Sequence, residues 1–271
     1  YYFLYFPLGY QVSYKMKKIL IFLITSLFCF NTSFSASYLF KDNIYTDCDI
    51  LTKKDPTSFK KITFIEEKKI KFWDRRKQKS SGWNQSNFKA FIFKAEFEKS
   101  NYALIRVNSE FKTIEKAENQ AFKYAKMAGQ LPVFLRTGLK TITIHKGDRA
   151  WGGGNNDILI HTGDRDAKGK CVEEIMIHEG GHTSLDGVWG GLIKWYQWKK
   201  MIEADNKYIS KYARDFPKRE DLAETINWWI AVRCKSDRIS KSNYKKIIKG
   251  IPNRLKYLDE QNFNTYPLKC D

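Results

Sequence analysis

The segment from Val172 to Asp186 contains His178-Glu179-Gly180-Gly181-His182. On a helix, two histidines four residues apart lie one turn above each other on the same face. Both imidazoles can then reach a single Zn2+, at about 2.0–2.1 Å per Zn–N bond. Glu179 sits beside the first histidine and points toward the same space without being needed as a ligand. It can take a proton from a water that the metal activates. The chemistry predicted is hydrolysis, with Glu179 as general base and zinc as cofactor. It requires a helix at this place and a third protein ligand from elsewhere.

The flanking residues favour the helix. Ile175, Met176 and Ile177 precede the motif, as in a helix buried against a sheet. Glu173 and Glu174 fall in the expected first turn, where carboxylates suit the helix dipole. Gly180 and Gly181 each cost roughly 1 kcal/mol of helix propensity relative to alanine. Glycine at such places permits close approach of another backbone, or a loosened turn beside a site.

Several residues compete as third ligand. Asp186 lies one turn beyond His182, but His178 to Asp186 spans about 12 Å of helix rise. One zinc cannot easily collect ligands from three successive turns, so Asp186 reads as a helix-end or outer-shell residue. The metzincin extension is absent, because Leu185 and Val188 stand where it needs glycine and histidine. The better candidates lie in Glu220-Asp221-Leu222-Ala223-Glu224, which opens a second helix running through Ile226, Trp229, Ile230 and Val232. Glu220 and Glu224 share a face. One can complete the coordination while the other hydrogen-bonds a ligand histidine and fixes its tautomer.

An H-E-x-x-H followed tens of residues later by E-x-x-A-E resembles the glutamate-ligand zincins (gluzincins), and looks closest to the anthrax lethal-factor-like metallopeptidases. The resemblance covers roughly residues 140–235. It implies a zincin-like fold and a zinc metallopeptidase acting on a peptide or protein substrate. It also implies that His178, His182 and Glu220 bind the metal, that Glu179 is the base and that Glu224 supports a ligand. Tyr212 matches the tyrosine that donates a hydrogen bond to the oxyanion, with Tyr208 as the weaker rival. The stretch Ile144-His145-Lys146-Gly147, Gly152-Gly153-Gly154-Asn155-Asn156 and Ile158-Leu159-Ile160-His161-Thr162 is also similar to an uncharacterised family of secreted zincin-like proteins, which supplies no substrate.

The N-terminus predicts export. Met16 begins a signal-like segment: Lys17-Lys18, an apolar run Ile19–Phe30, then small residues with a cleavage site after Ser35. Residues 1–15 read as an extension upstream of the true start and 16–35 as the signal. The apolar run is too short for a membrane span. The protein is therefore expected to be secreted or periplasmic, with no stable membrane span once the signal is removed. Four cysteines then remain, Cys48, Cys171, Cys234 and Cys270. In an exported protein they allow two disulfides in three connectivities. Cys234–Cys270 is favoured, since both lie in the C-terminal helical part.

The formal charge is +18, and +15 without Lys15, Lys17 and Lys18. That balance is compatible with solvated lysine-rich faces, or with contact to an anionic envelope surface. No nucleic-acid motif accompanies it, so nucleic acid is not expected as a partner.

Along the chain, residues 60–73 and 88–108 read as strands and 74–87 as a basic loop. Residues 113–128 form an amphipathic helix stopped by Gly129 and Pro132. Leu139–His145 and Asp157–Thr162 are short strands, with Gly152–Asn156 as a turn between them. From residue 171 onward the chain reads as helices. Strands followed by helices give an α+β fold, with a β-rich part at 36–112 packed on a helical, motif-bearing zincin-like part at 113–271. His145 and His161 read as polar strand ends, Trp228-Trp229 as core, and Ser184 lacks a partner for serine hydrolysis. Two further readings stay open: a catalytically silent zincin-fold module binding an anionic envelope surface, and a zinc amide hydrolase for a non-peptide substrate.

Overall fold

The computed structural model describes residues 37–41, 49–77, 85–99, 102–164 and 171–270. The expected extension and signal, Cys29 and Cys48 lie outside these residues. In chain order the elements are β1 (Ser37–Phe40), β2 (Phe59–Trp73), β3 (Gln85–Phe97), β4 (Ala103–Asn108), α1 (Ile114–Ala128), α2 (Val133–Arg136), β5 (Thr141–His145), β6 (Gly152–Gly154), β7 (Asp157–His161), α3 (Val172–Ser184), α4 (Trp195–Asp205), β8 (Lys207–Ser210), α5 (Lys211–Asp215), α6 (Pro217–Cys234), α7 (Lys241–Gly250) and α8 (Pro252–Asp259). The fold is α+β, as the strand-then-helix order predicts.

Six strands form one mixed sheet in the order β2-β3-β4-β5-β7-β6. β2, β3 and β4 pair antiparallel, β4–β5 and β5–β7 pair parallel, and β6 returns antiparallel to β7. Every residue of β7 is buried, as expected of a parallel strand covered on both faces. The sheet runs through strands on both sides of residue 112, and residues 36–271 make one compact unit. α1 lies on the sheet through Ala117, Ala121, Tyr124, Ala125 and Ala128, a helical stripe of mostly small residues. Thr113 caps its start by accepting from the Lys116 N–H.

Three details differ from the sequence expectation. Gly152–Gly154 is an edge strand, and only Asn155-Asn156 turn, both at positive φ (51° and 61°). Gly154 faces Asp157 in the register, so this is a two-residue hairpin of the type that asparagine favours. Three glycines carry no alternation of apolar side chains, which is why the strand is invisible to pattern. Lys207–Ser210 is a strand rather than helix, paired parallel with β1. Residues 88–108 are two strands broken after Phe97, and β3 begins already at Gln85.

The helical part is anchored in the core. Trp228 stacks on Phe40 with ring centroids 4.7 Å apart, and Trp229 meets Phe134 edge-on at 5.8 Å. Cys234 and Cys270 form the expected disulfide. Cys171 is disulfide-bonded as well. No helix among the described residues is long and apolar enough to cross a membrane.

Candidate metal centre

Residues 173–184 of α3 are all buried. The helix lies between the edge of the sheet and α6, and glycines set both distances. A Cβ on Gly153 of β6 would come within 2.2 Å of the Glu179 carbonyl oxygen, so only glycine lets the edge strand lie this close. On the opposite side a Cβ on Gly181 would be 3.2 Å from the Ala223 Cα of α6. Gly181 and Ala223 thus allow two helices to approach at the point where their functional side chains must meet. Thr183 fastens the edge strand: its hydroxyl accepts from the Gly154 N–H at 3.1 Å and donates to the Glu179 carbonyl at 2.8 Å.

The result is a buried cluster of His178, His182 and Glu220 that can hold a metal ion. The two Nε2 atoms are 3.1 Å apart, and Glu220 Oε2 is 3.3 Å from each. Three donors at such separations share a common point about 2.0–2.1 Å away, with angles of about 100–110° between them, which is the tetrahedral range for zinc. The electrostatics favour a cation at that point. Burial alone would lower the pKa of His182, yet hydrogen bonds to Asp186 and Glu220 and the charges of Glu179 and Glu220 raise it to about 10. Burial likewise opposes ionisation of Glu220, but the hydrogen bonds and charges of the two imidazoles hold it well below the usual carboxylate range.

Glu179 is buried on the same helix and acts on His182 through its charge. Among the described residues its carboxylate makes no hydrogen bond or ion pair. Tyr212, on α5, is 39 % exposed, and its phenol lies close enough to Glu220 to feel that carboxylate. Burial, and then the Glu220 carboxylate, push this phenol above its ordinary pKa. Tyr208 lies on β8 instead, where burial and Asp221 raise its pKa.

The outer contacts are distributed differently from the expectation. Asp186 Oδ2 lies 3.4 Å from His182 Nδ1, while its Oδ1 accepts from the Val188 N–H at 2.9 Å. Asp186 is thus both a cap for the following turn and an outer contact of the cluster. Glu224 takes its hydrogen bond from the Ser210 hydroxyl, not from a histidine, and acts on His178 through charge. Burial raises the Glu224 pKa to about 7. Ser210 also caps α5 by accepting from the Ala213 N–H at 2.9 Å, so Glu224 braces the turn that carries Tyr212. His145 and His161, both fully buried at strand ends, stack on each other with centroids 5.3 Å apart and stay apart from the cluster. Ser184 donates to the Leu135 carbonyl at 2.7 Å and takes no part in the site.

A cavity of about 670 Å3 opens beside His182 and Glu220. Its walls include Phe72, Trp73, Arg75, Trp189, Lys218 and Arg219. None of these stands out in sequence as a site residue. The one available signal is the aromatic-basic run Phe72-Trp73-Asp74-Arg75-Arg76, which nothing local connects to the histidines.

The contacts predict a graded response in metal content. His182→Ala and Glu220→Ala should purify with little metal. Asp186→Ala should keep its metal but bind it about 10–100-fold more weakly, the usual scale for loss of an outer contact. Metal analysis with a competing chelator reads both, and an empty site in Asp186→Ala would make Asp186 a ligand. Comparison of the chain with protein-family models, with curated proteins and with solved structures gave no match.

Proposed function

We propose that this protein is an exported zincin-like, zinc-dependent metallopeptidase of the glutamate-ligand type. The observation that carries the reading is Glu179, a buried carboxylate on the same helix as the histidines of the His178–His182–Glu220 cluster, which has no hydrogen bond or ion pair among the described residues and acts on His182 through its charge. A purely structural metal site has no use for a free carboxylate at that position. The three disulfide-bonded cysteines Cys171, Cys234 and Cys270 support an oxidising, extracytoplasmic compartment.

His178, His182 and Glu220 would hold zinc. When bound, zinc supplies Lewis acidity and a water acidified to a pKa near about 7. Glu179 takes the proton of the attacking water and later delivers it to the leaving amine. Tyr212 turns its hydroxyl to the developing oxyanion, a charge that exists only in the transition state. Asp186 holds the ring of His182, and Glu224 with Ser210 holds the start of α5, so that Tyr212 stays within reach.

The test joins metal analysis to substrate survey. Protein lacking residues 1–35 should purify with one zinc per chain. It should cleave members of an unbiased peptide library, lose that activity to a chelator and regain it with added zinc. Zinc-loaded protein that cleaves no peptide would sink the peptidase reading. Release of amines from non-peptide amides would then favour an amide hydrolase, and no turnover at all a binding module.

A further inference from the structure

The cavity beside the cluster has an unequal charge lining. Its two carboxylates are already engaged. Glu220 faces the histidines, and Asp157 is buried against Arg106 at 2.6 Å and accepts from the Thr143 hydroxyl at 3.0 Å. Two of its cations, Lys218 and Arg219, are less engaged. Lys218 is exposed and has no ion-pair partner among the described residues. Arg219 has a 61 % exposed side chain, and its one carboxylate contact, to Glu220, is 3.4 Å long. Both occupy the first turn of α6, the positive end of that helix dipole. Across the cavity Arg75 donates to the Ala150 carbonyl at 3.1 Å and lies over Gly152 of the edge strand. Phe72, Trp73 and Trp189 supply apolar wall between these charges. Trp189 packs on the bare backbone of Gly154, 3.1 Å from where a Cβ would stand.

We infer that this cavity is a specificity subsite for a carboxylate-bearing residue of the substrate, an aspartate or glutamate close to the bond that is cut. A positive, partly desolvated pocket with aromatic walls attracts a carboxylate on a short apolar stem and repels lysine or arginine. Lys218 and Arg219 are its specificity-determining residues, because Lys218 pairs with no described carboxylate and Arg219 meets only Glu220, at 3.4 Å from an exposed side chain. Arg75 closes the far side. Phe72, Trp73 and Trp189 pack against the stem. A substrate residue bound here would lie directly beside His182 and Glu220, so the inference rests on the peptidase reading for its catalytic meaning. Its binding does not require turnover.

The experiment therefore reads binding and cleavage separately. Tryptophan fluorescence of the zinc-loaded Glu179→Gln protein, with Trp73 and Trp189 in the wall, is titrated with short peptides differing at one central position: Glu, Gln or Lys. All are amidated at the C-terminus, except one Gln peptide with a free chain end. The expected result is at least about 10-fold tighter binding of the Glu peptide than of the Gln peptide, weakened by salt, with no detectable Lys binding. The free-ended peptide shows whether a chain-end carboxylate also enters. Lys218→Glu should abolish or invert the preference, and Arg219→Gln should reduce it, both with unchanged zinc content. Equal affinity for the Glu and Gln peptides would overturn the inference, and so would an unaltered preference in Lys218→Glu. Binding of an anionic polysaccharide with no binding of the Glu peptide would overturn it too. Wild-type cleavage of the library without acidic residues near the cut would leave the peptidase and remove the subsite. Acid-selective binding without any cleavage would leave the subsite and remove the peptidase.

Discussion

Glu179→Gln should keep its zinc and lose hydrolysis by about 10²-fold or more, the scale of general-base catalysis. The amide is nearly the same size as the carboxylate, and no ligand atom is removed. Because Glu179 has no hydrogen bond or ion pair among the described residues, its replacement breaks no structural contact. Stability should therefore change little. This separates the variant from His182→Ala, which removes metal and activity together. Tyr212→Phe gives a companion measurement. If its hydroxyl serves the oxyanion, kcat should fall by about 10²-fold with KM little changed, while Tyr208→Phe stays near wild type. Wild-type turnover in Glu179→Gln would remove the proposed base from the mechanism. Wild-type turnover in Tyr212→Phe would remove only the oxyanion donor.

Arg254→Leu should be the most destabilising single substitution outside the metal centre. Arg254 is fully buried between Asp205, at 2.9 Å, and Asp221, at 2.6 Å, and all three side chains are shielded from solvent. It also donates to the Lys207 carbonyl, and Asp221 accepts from the Trp198 indole N–H at 2.9 Å. This one guanidinium therefore ties α8, the end of α4, β8 and the start of α6 together. Removing it leaves two buried carboxylates without their counter-charge, a loss of about 3–5 kcal/mol. For a domain of this size that corresponds to a fall in Tm of roughly 6–20 °C. Lys199→Ala is the control. Its pair with Glu203 is 3.4 Å long and largely exposed, so its effect should stay below about 1 kcal/mol. Equal melting of Arg254→Leu and wild type would show that the buried clamp contributes nothing. The clamp bears on the site because Asp221 is the neighbour of Glu220. On α6 the two residues point to different surroundings, one to the histidines and one to the core.

The difference between local and distant information explains which parts of this protein can be read from its residues. His178 and His182 were legible because a spacing of four on a buried helix puts two side chains on one face whatever surrounds them. Glu220 was legible as a candidate from the E-x-x-A-E pattern, and helix rise alone argued for reading Asp186 as a residue outside the cluster His178–His182–Glu220. The pairing Cys234–Cys270 followed from their shared helical region. The strand Gly152–Gly154 was not legible, because glycine leaves no pattern and the strand exists only through its ladder with β7. Nor was Lys207–Ser210, which owes its conformation to a partner strand near residue 40.

By itself the sequence determined the chemistry on offer: two imidazoles, a free carboxylate and a second acidic helix. It also determined the α+β order of elements. Only the tertiary structure decided how these meet. Close packing of α3 against α6 at Gly181 and Ala223 brought Glu220 to the histidines, and the fold set the Tyr212 phenol, not Tyr208, where the Glu220 carboxylate raises its pKa. The same packing gave Glu224 to Ser210 instead of to a ligand. The end of β2 and the first turn of α6, more than 140 residues apart in the chain, met to build the cationic cavity. Such contacts depend on distances between elements, which helix and strand periodicity do not encode.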